Sequence, residues 1–167
     1  MRISIAWPPR GARATAASIA AGAIPFGTAS DGGGSIRGPA ANCGLPGLKP
    51  TYGRIPTFGV TRHAGNAVNF ALATTVADTA LLFDIAAGPD MRDRTSLPPA
   101  GTSYLDAIEQ LDVAGLRAAW SPDLGFATTD PEVVAIAERA ATTLVGAAGL
   151  VDSGIDVQID DFIRIYA

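Results

Sequence analysis

Cysteine, histidine and lysine each occur only once in the 167 residues, as Cys43, His63 and Lys49. A single cysteine excludes an internal disulfide and any metal site built from several thiolates. A single histidine likewise excludes metal sites that need several imidazole ligands. We therefore expect no bound metal, and nothing else in the sequence indicates a cofactor.

Basic residues are also in the minority, with 12 lysines and arginines against 16 carboxylates and a formal net charge of −4. The absence of a basic run argues against binding to nucleic acid or to an anionic membrane surface. No apolar run approaches the roughly 18–20 residues that cross a bilayer. The opening MRISIAWPPR has too short an apolar stretch for a secretory signal. These absences predict a cytoplasmic protein.

Small residues dominate the apolar content. Hydrophobic residues make up 48% of the chain, which excludes disorder on composition. Of all residues, 32 are alanine and 19 are glycine, so close backbone packing is favoured over a thick core. The length suits one domain over residues 1–167, since domains commonly have about 100–200 residues.

Strand-like and helix-like segments alternate along the chain, which predicts an α/β fold. Predicted strands lie at 3–7, 24–28, 115–120 and near Val157, and predicted helices lie at 11–23, 75–87, 103–110 and 131–148. The first helix has little amphipathic contrast, so we expect packing on both of its sides. Helix 75–87 should begin at Thr75 and be mostly buried. Helix 131–148 should begin at Asp130 and end at Gly149.

Charges of both signs at 90–94 predict ion pairs on the surface.

The densest group of chemically useful residues is Asp31-Gly32-Gly33-Gly34-Ser35-Ile36-Arg37. Consecutive glycines let backbone N–H groups converge on one point and accept an anion. A serine beside such donors could serve acyl transfer, which needs a nucleophile next to an oxyanion hole. On spacing alone, the pattern favours a glycine-rich turn in which Ser35 only caps a helix that begins at Ile36. The glycine spacing fits neither a P-loop nor a GxGxxG motif.

Residues 27–56 resemble the core motif of the amidase signature family. The matching segments, in order, are Gly33-Gly34-Ser35-Ile36-Arg37, Pro39-Ala40, Cys43-Gly44, Gly47-Leu48-Lys49-Pro50-Thr51 and Gly53-Arg54. The resemblance continues through 75–96 and 115–133. It implies a partial amidase-signature fold, a mixed sheet flanked by helices and incomplete at both ends.

The family hydrolyses amide bonds of small molecules, or transfers their acyl groups, with a Ser–Ser–Lys triad. The resemblance implies that Ser35 is the nucleophile that forms the acyl-enzyme. It also implies an oxyanion hole made by the amides of Gly32, Gly33, Gly34 and Ser35. Cys43 and Lys49 match motif positions that are structural in the family, and Arg37 is expected to pair with Asp31.

Two parts of the family's triad have no counterpart in this chain. An ungapped count from Ser35 places the relay serine at Gly11, where the residues do not form the family's GGSSGG turn. The catalytic lysine would lie before Met1. A serine hydroxyl is a weak nucleophile without a base, and His63, in a loop rich in proline and glycine, is a poor candidate.

The sequence therefore predicts an inactive fragment with hydrolase ancestry. An amidase or amidotransferase A-type subunit completed by another chain, and a non-catalytic binding remnant, are the alternatives. A frame change or a wrong start codon upstream of Ala20 would explain why the match weakens there. Apolar faces on helices 75–87 and 131–148 and an open sheet edge should remain exposed and favour self-association.

Overall fold

A computed structural model describes residues 11–57 and 67–160 of the protein. It divides the chain into two compact units, Met1–Gln110 and Leu111–Ala167. The predicted strand at 3–7 and His63 lie outside the described residues. No helix within the two described ranges is long and apolar enough to cross a membrane.

Helices and strands alternate as predicted, and the α/β fold class is confirmed. The first unit contains α1 (Ala12–Ala20), β1 (Phe26–Asp31), α2 (Arg37–Cys43), β2 (Val68–Ala73), α3 (Val76–Ala86) and α4 (Tyr104–Gln110). The second unit contains β3 (Arg117–Ala118), α5 (Pro131–Ala147) and β4 (Val151–Asp152).

An antiparallel pair of strands forms the centre of the first unit. Phe26 of β1 lies opposite Ala73 of β2, and Asp31 lies opposite Val68. No strand was predicted at β2, although Val68, Phe70 and Leu72 alternate with the period of a strand. All residues of β2 except Asn69 are buried. The strand that the sequence analysis missed is therefore the most buried one.

Helix α1 packs on β1 through one stripe only. Ala16 and Ile19 are its buried residues, so the expectation of packing on both sides is wrong. The helix approaches the strand closely, because a Cβ atom at Gly27 would overlap the methyl group of Thr15. Small residues thus allow a short helix to reach the sheet without a large apolar face.

Helix α3 begins at the predicted cap. The Thr75 hydroxyl accepts a hydrogen bond from the Asp78 N–H at 3.0 Å and donates one to the Asp78 carboxylate at 2.7 Å. Burial is less extensive than predicted, because only Thr79, Ala80 and Phe83 are buried. The Phe83 ring packs edge-on against Phe70, with ring centroids 5.2 Å apart. One side of α3 therefore completes the core, while apolar side chains on the rest of the helix remain exposed to solvent.

The second unit contains a parallel strand pair joined by α5. Arg117 of β3 lies opposite Val151 of β4, so the strand predicted near Val157 is wrongly placed. The predicted cap is confirmed, because the Asp130 side chain accepts from the Glu132 N–H at 2.8 Å. Gly149 has the left-handed φ of 63° that ends many helices.

Two loops of the first unit are bound together around Asp93. This carboxylate is buried and accepts hydrogen bonds from the Thr57 and Thr95 N–H groups at 2.8 and 2.9 Å. The predicted surface ion pair is confirmed for Asp90 and Arg92, whereas Asp93 is buried rather than on the surface. Gly53 lies against the same loop, with φ +82° and no space for a Cβ beside the Thr95 carbonyl.

We predict that Gly53→Ala strongly destabilises the chain, because the new methyl group meets a backbone carbonyl that cannot move cheaply. Gly101→Ala is the matched control, since Gly101 has a similar φ of +72° but nothing within 4 Å of the new atom. Urea unfolding should show a loss of about 1–2 kcal/mol for the control. Gly53→Ala should lose about 1–3 kcal/mol more. Equal losses would contradict the packing argument.

Candidate active site

The glycine-rich segment forms a turn between β1 and α2, as predicted. Strand β1 ends at Asp31 and α2 begins at Arg37, so Ser35 lies in the turn, two residues before the helix. Gly34 has φ +103°, a conformation that side-chain-bearing residues rarely adopt. Ser35 does not cap the helix, because the cap position is Ile36 and no side chain bonds there. The capping alternative is therefore wrong.

The carboxylate of Asp31 organises this turn. Its side chain is fully buried, since the alternation of β1 turns Ala29 and Asp31 towards the interior. Oδ1 accepts from the Gly34 N–H at 2.7 Å. Oδ2 accepts from the Ile36 N–H at 3.3 Å and the Arg37 N–H at 3.2 Å. One buried side chain thus binds three backbone amides of the turn that follows it.

Arg37 completes the set of donors to Asp31. Its Nε donates to Oδ2 at 2.8 Å and its Nη2 donates to Oδ1 at 2.9 Å, a bidentate arrangement. The Arg37 side-chain hydrogen bonds hold the pKa of Asp31 well below its usual range, although burial acts in the opposite direction. The same contact raises the pKa of Arg37. The expected pairing of the two residues is confirmed.

Ser35 is held from both sides by this one carboxylate. The amides of Gly34 and Ile36, its chain neighbours, both donate to Asp31. Ser35 itself is exposed, and its hydroxyl makes no hydrogen bond with the residues that the structure describes. The turn therefore has a fixed backbone and presents the Ser35 hydroxyl to solvent.

The four amides named for the oxyanion hole are not equivalent. That of Gly34 is used by Asp31. The N–H groups of Gly33 and Ser35 have no acceptor among residues 11–57 and 67–160. These two amides are the donors that can respond to a developing negative charge without breaking the turn.

A cavity of about 220 Å³ adjoins Ser35. Its lining comes from the start of α1, from the middle of β1 and from the turn. The lining residues are Gly11, Ala12, Thr15, Thr28, Ala29, Ser30 and Ser35. Gly11, the position counted for the relay serine, thus lies on the same cavity as Ser35. None of these seven described side chains is ionisable near neutral pH.

Two other residues singled out from the sequence, Lys49 and Cys43, do not line this cavity. Lys49 is half-buried in the extended segment after α2 and is not among the lining residues. Cys43 ends α2 and packs against the core, which agrees with the packing role expected for it. In the described part of the chain no three metal-ligating side chains cluster.

Comparison with known proteins decides the family. The Amidase family model matches residues 15–152, which is most of the chain and includes the whole turn. The chain belongs to the amidase family. An acylamidase of Rhodococcus erythropolis is 51% identical over 124 residues, covering 72% of this chain and 25% of that protein. The A subunit of a glutamyl-tRNA(Gln) amidotransferase from Staphylococcus saprophyticus is 42% identical over 140 residues, covering 83% of this chain and 28% of that one.

Solved amidase structures share the fold. A bacterial aryl acylamidase of the amidase signature family superposes with a TM-score of 0.73 at 30% identity, covering 86% of this chain and 30% of that one. A 6-aminohexanoate cyclic dimer hydrolase has a TM-score of 0.72, also at 30% identity, and covers 84% and 30%. The chain therefore spans about a quarter to a third of the length of these amidases.

We predict that Asp31→Asn, which keeps the shape but removes the charge, lowers the free energy of unfolding by about 3 kcal/mol at neutral pH. The amide cannot accept from five donors, and it leaves the Arg37 guanidinium without its partner. Asp106→Asn is the control, since Asp106 is an exposed carboxylate in the first turn of α4. It should change stability by less than about 1 kcal/mol.

The pH dependence of this effect has a defined sign. The pKa of Asp31 is lower in the folded chain than in the unfolded chain. Its contribution to the free energy of unfolding is therefore fully present above the unfolded pKa of about 3.9. It is lost as the pH falls through the folded pKa. The stability gap between the wild type and Asp31→Asn should therefore be constant from about pH 5 to 8 and narrow only below about pH 4. A gap that closes near neutrality would contradict the assignment.

Proposed function

We propose that this amidase chain carries the nucleophile-bearing core of a hydrolase that cleaves carbon–nitrogen bonds in small-molecule amides. The observation that carries the proposal is the exposed Ser35 hydroxyl, in a turn fixed by Asp31 and beside two amides that have no described acceptor. Because the family match at 15–152 runs through both compact units, we also propose that they belong to one amidase-signature domain.

The chemistry that this geometry supports is acyl transfer. The Oγ atom of Ser35 attacks the amide carbonyl carbon as its proton passes to a base. The carbonyl oxygen becomes an oxyanion that the N–H groups of Gly33 and Ser35 bind. Collapse of this intermediate breaks the carbon–nitrogen bond, and the amine leaves with a proton. Water then hydrolyses the Ser35 ester and restores the hydroxyl.

We propose further that this chain alone does not turn over substrate. Activation of serine needs a positioned base, and the described residues that line the cavity include none. Gly11 offers no hydroxyl as a relay, and the single lysine of the sequence, Lys49, belongs to a different segment. The turn retains the geometry of a nucleophile without the means to remove its proton.

The purified chain should therefore react with a fluorophosphonate probe no faster than an ordinary exposed serine. The reaction needs Oγ to lose its proton as fluoride leaves, and none of the described residues at the cavity can accept that proton. Mass spectrometry of the labelled chain measures the reaction, and Ser35→Ala defines the background. Stoichiometric labelling at Ser35 that is lost in Ser35→Ala would show that a base is present and would overturn the inactive assignment.

A second candidate is that another polypeptide completes the enzyme, and one surface favours it. Helix α5 turns Val134, Ala137, Ala141 and Val145 partly inward. A second apolar stripe on the same helix is exposed, with Val133, Ile136 and Leu144 at 62%, 52% and 60%. Contiguous apolar surface of this kind is typical of interaction sites. The predicted apolar face of α5 is therefore divided between a packed stripe and an exposed one.

If this stripe drives association, the wild-type chain should form concentration-dependent oligomers in sedimentation experiments. Ile136→Glu combined with Leu144→Glu should return it to a monomer, because buried carboxylates without partners are costly. Ala135→Glu with Thr142→Glu adds the same charge to exposed positions of the same helix outside the stripe, and should leave association unchanged. A monomeric wild type that binds no apolar dye would argue that this surface needs no partner.

A further inference from the structure

The cavity beside Ser35 has features that neither the fold nor the proposed function accounts for. Four of its seven lining residues carry hydroxyl groups: Thr15, Thr28, Ser30 and Ser35. None of these hydroxyls is hydrogen-bonded to another of the residues that the structure describes. Since polar groups in a recess are normally satisfied, this lining suits a small polar occupant from solution.

The cavity also has the space for such an occupant. At about 220 Å³ it exceeds what one water needs, which is roughly 10–15 Å³. The smallest lining residues keep it open, because Gly11, Ala12 and Ala29 contribute little or no side chain. A Cβ atom built at Gly11 meets only the Ala14 nitrogen, at 3.9 Å. The cavity reaches Ser35, which is itself exposed to solvent.

The chemistry of the lining defines the class of ligand. Hydroxyl and backbone groups can donate to a lone pair or accept from an N–H, and among the described residues no lining side chain carries charge to attract an ion. The group that acyl transfer at Ser35 lacks is a base. A small, uncharged nitrogen base satisfies both the lining and the missing function, because its lone pair can accept the Ser35 proton.

We propose that the cavity formed by Gly11, Thr15, Thr28, Ser30 and Ser35 binds a small uncharged nitrogen base, of which imidazole is the type, and that the bound base activates Ser35. This inference rests on the proposed role of Ser35. With a fluorophosphonate, Oγ forms the bond to phosphorus, fluoride leaves with the bonding electrons, and the proton from Oγ passes to the base. With an amide, the protonated base returns the proton to the leaving amine.

The test measures Ser35 labelling by a fluorophosphonate against imidazole concentration at about pH 8, where most imidazole is uncharged. A base bound in the cavity gives a labelling rate that saturates, whereas catalysis from bulk solution rises linearly without limit. We expect saturation with a rate at least about a hundredfold above buffer alone, the lower end of the range for positioned proton transfer. N-ethylmorpholine, a bulkier base, should give only the linear rise.

Binding is measured separately by nuclear magnetic resonance titration of the Ser35→Ala chain with imidazole. Saturable shifts of the Thr28, Ala29 and Ser30 amides are expected. Thr15→Val with Thr28→Val keeps the shape of both side chains and should weaken binding by about fivefold, the loss of one neutral hydrogen bond. Thr142→Val, an exposed position on α5, is the matched control and should not change it.

These two measurements separate the inference from the proposed function. Saturable binding to Ser35→Ala without any activation of Ser35 in the wild type would overturn the inference that the bound base activates Ser35, and leave the binding site standing. No saturable binding, with unchanged spectra in the described cavity residues, would overturn the inference while leaving the role of Ser35 intact. Saturating activation together with saturable binding would support both.

Discussion

The buried Asp31 carboxylate is the interaction on which the candidate site depends. It lies at the end of β1 and accepts from three amides of the following turn and from the Arg37 side chain. A carboxylate out of water is stable only when its oxygens are fully hydrogen-bonded. Movement of the turn would therefore leave the buried charge of Asp31 without its hydrogen bonds. The position of Ser35 is fixed because both of its chain neighbours donate to this carboxylate.

This constraint is local in sequence, which explains why the turn could be predicted. Asp31, Gly34 and Arg37 lie within seven residues, and the glycine supplies the one backbone conformation that other residues disfavour. The caps at Thr75 and Asp130 were predictable for the same reason, since each bonds to an amide two or three residues away. What nearby residues determine can be derived from one sequence.

Features set by distant segments were not predictable in this way. β2 pairs with β1, which lies far from it in the sequence, so the alternation of Val68, Phe70 and Leu72 did not by itself show that this segment is a buried strand. Asp93 was predicted to carry a surface charge. Its hydrogen bond from the Thr57 N–H could not be derived from nearby residues, because Thr57 lies 36 residues earlier. The cavity at Ser35 likewise brings Gly11 together with β1 and the turn. From the sequence, Gly11 was identified only by counting back from Ser35.

The same division separates the geometry of catalysis from its activation. The hydrogen bonds that hold the turn, from Gly34, Ile36 and Arg37 to Asp31, all lie within seven residues. Removal of the Ser35 proton depends instead on groups brought from elsewhere in the chain or from outside it, and the described residues that line the cavity supply none. A nucleophile site can therefore be structurally intact and chemically silent. The exposed hydroxyl and the cavity beside Gly11 are then parts of one arrangement, in which only the proton acceptor has to be added.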